Sequence, residues 1–209
     1  MILIGLAGVA RSGKDTAAAV LATELGLYRH AFADPIKRML EQVFGNNFVI
    51  GDRERIDPIS GVSYRKLMQT LGTEWGRAIQ PDLWTRVAKA KWEWITQAKH
   101  PSDWLAGQAS GEPMNFSGMV ISDVRFDNEA EWIRSEGGII VHVERDDTEQ
   151  VGVAGHASEA GLTKIHGDLV VENNSTLAAY SEAIDYLVAL IKNPSRSRPA
   201  AGIAHEYRI

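Results

Sequence analysis

No cysteine occurs in the 209 residues. That excludes a disulfide framework, a cysteine-based zinc site and a cysteine nucleophile, and it is compatible with a reducing cytoplasm. Long apolar runs are missing as well. Ile2 to Ala7 is apolar but only of strand length, no basic segment precedes it, and nothing later reaches the length of a membrane span. The chain is therefore expected to be soluble and cytoplasmic, with no membrane partner. Charge of one sign is also scarce: 22 Lys and Arg stand against 27 Asp and Glu, a formal net charge of -5. A protein that wraps duplex nucleic acid needs a basic face, so no stable nucleic-acid binding is expected. The six histidines show no metal-ligand spacing, and no internal repeat is present. The length suits one α/β domain with room for an inserted flap.

What is there begins at the N-terminus. Ile2-Leu3-Ile4-Gly5-Leu6-Ala7 leads directly into Gly8-Val9-Ala10-Arg11-Ser12-Gly13-Lys14-Asp15-Thr16. Strand, glycine loop and helix start, in that order, are the context of a phosphate-binding loop. Glycine lets the backbone approach an anion, the exposed N–H groups point at it, and the helix dipole adds positive charge there. Gly8, Arg11, Ser12, Gly13, Lys14, Asp15 and Thr16 are the candidate phosphate-binding residues of a nucleotide site, with Lys14 reaching the β and γ oxygens. One departure stands out. The pattern asks for Ser or Thr directly after the lysine, to bind Mg²⁺, whereas here Asp15 takes that place and the hydroxyl follows at Thr16.

Apolar periodicity predicts strands at Leu27–Ala33, Gly118–Asp123, Ile139–Val143 and Asp168–Val171. Helices are predicted at Lys14–Leu25, Ile36–Phe44, Tyr64–Leu71 (pausing near Gly72), Glu74–Ile79, Asp82–Lys99, Asn128–Ser135 and Leu177–Ile191. Asp34 is expected as an N-cap with Pro35 at the first helical position. Strands alternating with helices imply an α/β fold with a central, mostly parallel five-stranded sheet and helices on both faces. The Ser/Arg/Pro/Ala-rich tail at 194–209 is expected to be loose.

Four further groups suit chemistry. Asp123 closes a central strand, where ligands of open α/β sheets bind; it is placed to hold Mg²⁺ directly or through water, or to accept a proton, or else to serve as a turn or helix cap, and Asp15 is the second candidate metal residue. Arg125 suits a bidentate phosphate clamp, or a salt bridge to Glu129 or Asp127. Asp34, Lys37 and Arg38 follow the second strand, with Lys37 the better candidate for an anionic acceptor. In Leu71-Gly72-Thr73-Glu74-Trp75-Gly76-Arg77, Trp75 suits base stacking and Arg77 a phosphate. Trp84 is a further substrate candidate, although some of Trp84, Trp92 and Trp94 belong to a core. His156-Ala157-Ser158-Glu159 reads equally as a capped helix start or a lid contact.

Together these segments resemble the deoxynucleoside monophosphate kinases of bacteriophages. The resemblance is carried by Gly8 to Thr16 with its Gly-Lys-Asp-Thr ending, Phe32 to Lys37, Gln69 to Arg77, Ile121 to Glu129, His156 to Glu159, and Asp168 to Asn173. In that family an Asp after the lysine is usual. The resemblance implies a P-loop nucleoside monophosphate kinase fold in a single domain. Its core would span 1–33 and 118–192, a helical substrate flap 34–100, a surface loop 100–117 and a lid 146–163. It implies the reaction ATP + dNMP → ADP + dNDP with ATP and Mg²⁺ as cofactors, a (deoxy)nucleoside-phosphate kinase supplying DNA synthesis in a host cytoplasm. A homodimer is compatible. The implied catalytic residues are Lys14, Asp123, Arg125 and Arg145, the last because the lid range carries no arginine. Asn173 joins the ATP residues, and Asp34, Lys37, Trp75, Arg77, Trp84 and Arg125 are substrate-binding. A P-loop kinase for another small acceptor, such as dephospho-coenzyme A, shares several of these features. A nucleotide-binding switch or packaging protein fits less well, since it needs no acceptor pocket.

Overall fold

The computed structural model describes residues 1–45, 54–97, 116–146 and 162–193, together with the backbone of Tyr207–Arg208. The His156–Glu159 segment and almost all of the expected loop, lid and tail lie outside the described residues. Contacts divide the chain into two compact units: Met1–His30 with Lys91–Ile209, and Ala31–Ala90. The second unit thus begins before the expected flap and ends sooner. Its far boundary falls inside a helix, because Lys91 and Trp92 find partners in the larger unit. The Lys91 ammonium lies 5.1 Å from the Tyr28 ring, and Trp92 Nε1 donates to Glu136 Oε2 at 3.2 Å.

The strands are β1 (Ile2–Ala7), β2 (Leu27–His30), β3 (Gly118–Val124), β4 (Ile139–Glu144), β5 (Leu169–Glu172) and β6 (Tyr207–Arg208). They form one sheet in the order β2-β3-β1-β4-β5-β6, every pairing parallel. All five expected strands are present. The sixth, pairing Leu169 with Tyr207 and Val170 with Arg208, arises within the tail expected to be loose. The helices are α1 (Lys14–Leu25), α2 (Asp34–Phe44), α3 (Tyr64–Gln69), α4 (Leu83–Thr96), α5 (Asp127–Ser135) and α6 (Leu177–Lys192). Between α3 and α4 runs a π-helical segment, Thr70–Arg77. No helix among the described residues is long and apolar enough to cross a membrane.

Side-chain alternation assigns the two faces of the sheet. Ile4, Leu6, Val141, Val143, Leu169 and Val171 pack with Ala17, Ala18 and Leu21 of α1 and with Ile184 and Leu187 of α6. The other face carries α5: a Cβ added at Gly5 would meet Ile133 Cδ1 at 2.7 Å. Covering both faces explains why these strands read as nearly unbroken apolar runs.

The α5 face also holds a buried ionic cluster. Arg134 grips Asp168 through Nε (3.1 Å) and Nη2 (2.7 Å), His142 Nε2 lies 2.9 Å from Asp168 Oδ2, and the Ile165 N–H donates to the same oxygen at 3.1 Å. Burial opposes the charged carboxylate, yet the bonds from Arg134, His142 and Ile165 outweigh it and hold Asp168 below its ordinary value. The expected strand start at Asp168 therefore moves to Leu169, and Asp168 becomes a clamp.

In the smaller unit the helix start also shifts by one residue. Ala33 is the N-cap and Asp34 the first helical residue. Asp34 Oδ2 accepts from the Ala31 N–H at 2.8 Å, and the Asp34 N–H donates to Ala31 O at 3.0 Å. That turn ends the extended run before the expected Ala33. The expected pause near Gly72 is absent, because the chain continues in π-helical form. Trp84 accounts for it: its indole N–H donates to Gly72 O at 2.7 Å, and a Cβ on Gly76 would meet its ring at 2.4 Å. The two glycines are places where the tryptophan touches backbone.

Candidate active site

The order of the sheet makes a crevice at the carboxyl end of β1. From β1 the chain crosses by α1 past β3 to β2, whereas from β3 it crosses by α5 past β1 to β4. Such a reversal of direction is where doubly wound sheets bind ligands. The loop from Gly8 to Gly13 leaves β1 at this point. Gly8 (φ 142°) and Gly13 (φ 109°) adopt conformations closed to other residues, and Arg11 (φ 64°) is the one non-glycine residue with positive φ among the described residues.

Gly13 shows why the loop must have this sequence. A Cβ there would meet Asn173 Nδ2 and Tyr180 Oη, each at 2.8 Å. Both groups brace the loop from outside: Asn173 Nδ2 donates to Ser12 O at 2.9 Å, and Tyr180 Oη donates to Gly13 O at 3.0 Å. Ser12 is fully buried. Burial pushes the Tyr180 phenol up to about 12, so it remains a donor at neutral pH. The N-cap of α1 is Gly13, which has no side chain to cap the helix, and a helix N-terminus attracts anions. The Lys14 ammonium bonds back to Val9 O and lies 3.4 Å from Ser12 Oγ.

A cavity of about 400 Å³ opens over this loop. Arg11, Lys14, Asp15, Thr16 and Arg145 line it together with Asn173, Ser175, Leu177 and Tyr180. Arg145 follows β4. The turn that carries it is tied to the turn after β5 by a reciprocal pair: the Asp146 N–H donates to Asn174 Oδ1, and Asn174 Nδ2 donates to Asp146 Oδ2, both at 2.8 Å. Three cations in one cavity, with hydroxyl and apolar groups among the same lining residues, suit a nucleotide triphosphate. The expected ATP residues are thus brought together, and Arg145 joins them. Lys164, on the far side of the lid range, forms an ion pair with Glu144.

Asp15 does not pair with Arg11. Its Oδ1 lies 2.8 Å from Arg29 Nη2 of β2. Asp123 is half-buried at the end of β3, beside the residue that pairs with Ala7 of β1. No cluster of three His, Cys, Asp or Glu residues suited to a metal occurs among the described residues. Mg²⁺ in a nucleotide site keeps its waters and takes only one or two carboxylates, so it does not need such a cluster, and Asp123 and Asp15 remain its candidate carboxylates. Arg125 is half-buried; its backbone N–H donates to the buried Glu129 at 2.9 Å, and the Phe126 N–H donates to the same oxygen at 3.1 Å.

In the smaller unit Trp75 is 48 % exposed and Arg77 Nη1 donates to Pro81 O at 3.0 Å. Lys37 pairs with Asp34 at 3.2 Å, and Arg38 is exposed. Trp84, expected at the substrate, is buried and packs against Gly72 and Gly76. It supports the segment that carries Trp75. Tyr180, Arg29 and Asn174 had no signal in the sequence. Tyr180 reads as an ordinary apolar position of a helix, and its loop partner lies 167 residues away.

A family model described as deoxynucleotide monophosphate kinase matches residues 2–57 and 54–184. A candidate deoxynucleotide monophosphate kinase of Acanthamoeba polyphaga mimivirus is 31% identical over 208 residues, covering 94% of this chain and 99% of the relative. The deoxynucleotide monophosphate kinase of Escherichia phage RB69 is 30% identical over 138 residues, covering 65% of this chain and 49% of its own. Among solved structures, a candidate kinase of Chloroflexus aurantiacus aligns at 14% identity and a TM-score of 0.47, covering 92% of this chain and 97% of its own. A Campylobacter jejuni dephospho-CoA kinase aligns at 10% and 0.42, covering 92% and 98%.

Proposed function

The chain belongs to the deoxynucleotide monophosphate kinase family, and from that premise we propose that it transfers the γ-phosphoryl group of ATP to deoxynucleoside 5′-monophosphates. The products are ADP and dNDP, precursors for DNA synthesis, made in the cytoplasm. The observation that carries the reading is the braced loop from Gly8 to Gly13, opening on an uncapped helix N-terminus and a cavity lined by Arg11, Lys14 and Arg145.

Phosphoryl transfer asks a protein for little covalent chemistry; it must position two nucleotides in line and neutralise charge. The N–H groups of the loop and α1 receive the phosphates of ATP. Lys14 neutralises the β and γ oxygens, and Arg145 and Arg125 add positive charge where it develops during transfer. Asp123, with Asp15 or Thr16, would hold a nucleotide-bound Mg²⁺, which would supply charge neutralisation to the phosphates. Asn173 acts through the loop it holds. Arg77 and Arg125 grip the acceptor phosphate, Trp75 stacks on the base, Lys37 and Asp34 stand beside the acceptor, and Trp84 supports Trp75 from behind.

A coupled assay with ATP, Mg²⁺ and each deoxynucleoside monophosphate tests the reading. ADP should form only when a deoxynucleoside monophosphate is supplied. Formation at the same rate without an acceptor, or only with a coenzyme A precursor, refutes it.

A further inference from the structure

Among the described residues that line the cavity, Asp15 is the one anionic side chain. Its carboxylate is 79% exposed and sits in the first turn of α1, where it competes with a phosphate for the same N–H groups and the same end of the helix dipole. Its partner is Arg29, 47% exposed, at 2.8 Å. The fold explains how Arg29 arrives there. Alternate residues of a strand share a face, and Leu27, two residues earlier in β2, packs in the core beneath α1. Arg29 therefore rises on the α1 side, one residue before the carboxyl end of β2.

We propose that Arg29 is a positioning residue of the ATP site: it holds the Asp15 carboxylate and offsets its charge, so that the field of Arg11, Lys14 and Arg145 remains available to the triphosphate. The inference rests on the ATP-donor reading above. Without Arg29, an unpaired carboxylate faces a polyanion. Without both members, the residue after Lys14 is neutral, as in an ordinary phosphate-binding loop. The pair therefore makes a prediction of sign that packing alone does not: removing the second member repairs the loss of the first.

The test is calorimetric titration of ATP, with Mg²⁺, into wild type, Arg29→Ala, Arg29→Lys, Asp15→Ser and the double variant Asp15→Ser/Arg29→Ala. Circular dichroism melts serve as the folding control. Arg29→Ala should weaken ATP about tenfold at low salt, and less at high salt, because exposed charges are screened. The double variant should return to within about threefold of wild type, and Arg29→Lys should bind nearly as wild type does. Should Arg29→Ala fail to fold, Arg29→Gln takes its place, alone and combined with Asp15→Ser, with the same loss and the same recovery expected. Arg29→Ala binding ATP like wild type, or a double variant as weak as Arg29→Ala, overturns the role of Arg29 and leaves the donor reading standing. Wild type that binds no ATP overturns the donor reading and this inference with it.

Discussion

Tyr180 serves the core and the site at once. Its ring packs with α1 and the sheet, while its hydroxyl holds Gly13 O at 3.0 Å. Tyr180→Phe keeps the packing and removes one neutral hydrogen bond, so ATP should bind roughly fivefold more weakly, about 1 kcal/mol, with little change in melting temperature. Titration of ATP checks this; unchanged affinity would remove Tyr180 from the loop's support. Asp168 tests the ionic cluster in a different way. Its carboxyl is held below the ordinary 3.8. A depressed carboxylate contributes stability that is complete above the unfolded value, and that contribution is lost as pH falls through the folded one. Asp168→Asn should therefore cost roughly 2–3 kcal/mol near neutral pH, and the gap from wild type should close below about pH 4. Urea unfolding from pH 7 downward measures it, and a gap independent of pH contradicts the assignment.

Among the elements, the π-helical segment Thr70–Arg77 is the least ordinary. π-helical hydrogen bonds run from i to i+5 and usually appear as single turns at functional sites; here the form persists over eight residues. Gly72 and Gly76 read as helix breakers, because a glycine-rich stretch has low helix propensity. What the sequence does not display is that Trp84, 12 residues from Gly72, supplies a donor to one glycine and a ring to the other. Gly76→Ala would drive a methyl group into that ring, and Trp84→Phe would leave the buried Gly72 carbonyl without its donor. Either change should raise the KM for the deoxynucleoside monophosphate about tenfold while the ATP KM stays within about twofold, because the disturbed segment carries Trp75 and Arg77. Steady-state kinetics with each substrate varied in turn would expose an equal effect on both, which contradicts the role given to this segment.

For the whole molecule, the reading assigns the two nucleotides to two sets of residues, and the substitutions should separate them. Lys14→Ala should lower kcat by at least about a hundredfold, since it removes charge stabilisation from the transferring group. Arg77→Ala should instead raise the KM for the acceptor roughly 10- to 100-fold, the worth of a charge-assisted contact, with the ATP KM nearly unchanged. An unchanged acceptor KM would take Arg77 out of the site. Both proposals rest on local signals in the chain: glycine spacing before a lysine, and an arginine after a glycine-flanked tryptophan. The extent of the second unit was not legible. α4 is a continuous helix, and only the contacts of Lys91 and Trp92 reveal that its end belongs with the sheet.

The sequence by itself determined the five main strands, the helices between them, the phosphate-binding loop and the kinase family, because each rests on periodicity or on motifs within a few residues. Only the tertiary structure decided what closes the loop and what neutralises it. Asn173 and Tyr180 reach Ser12 and Gly13 across more than 160 residues, and Arg29 reaches Asp15 from a neighbouring strand. Such pairings depend on strand order and face, which no local pattern encodes. The same is true of Trp84, whose aromatic ring suits a ligand or a core equally until its neighbours are known.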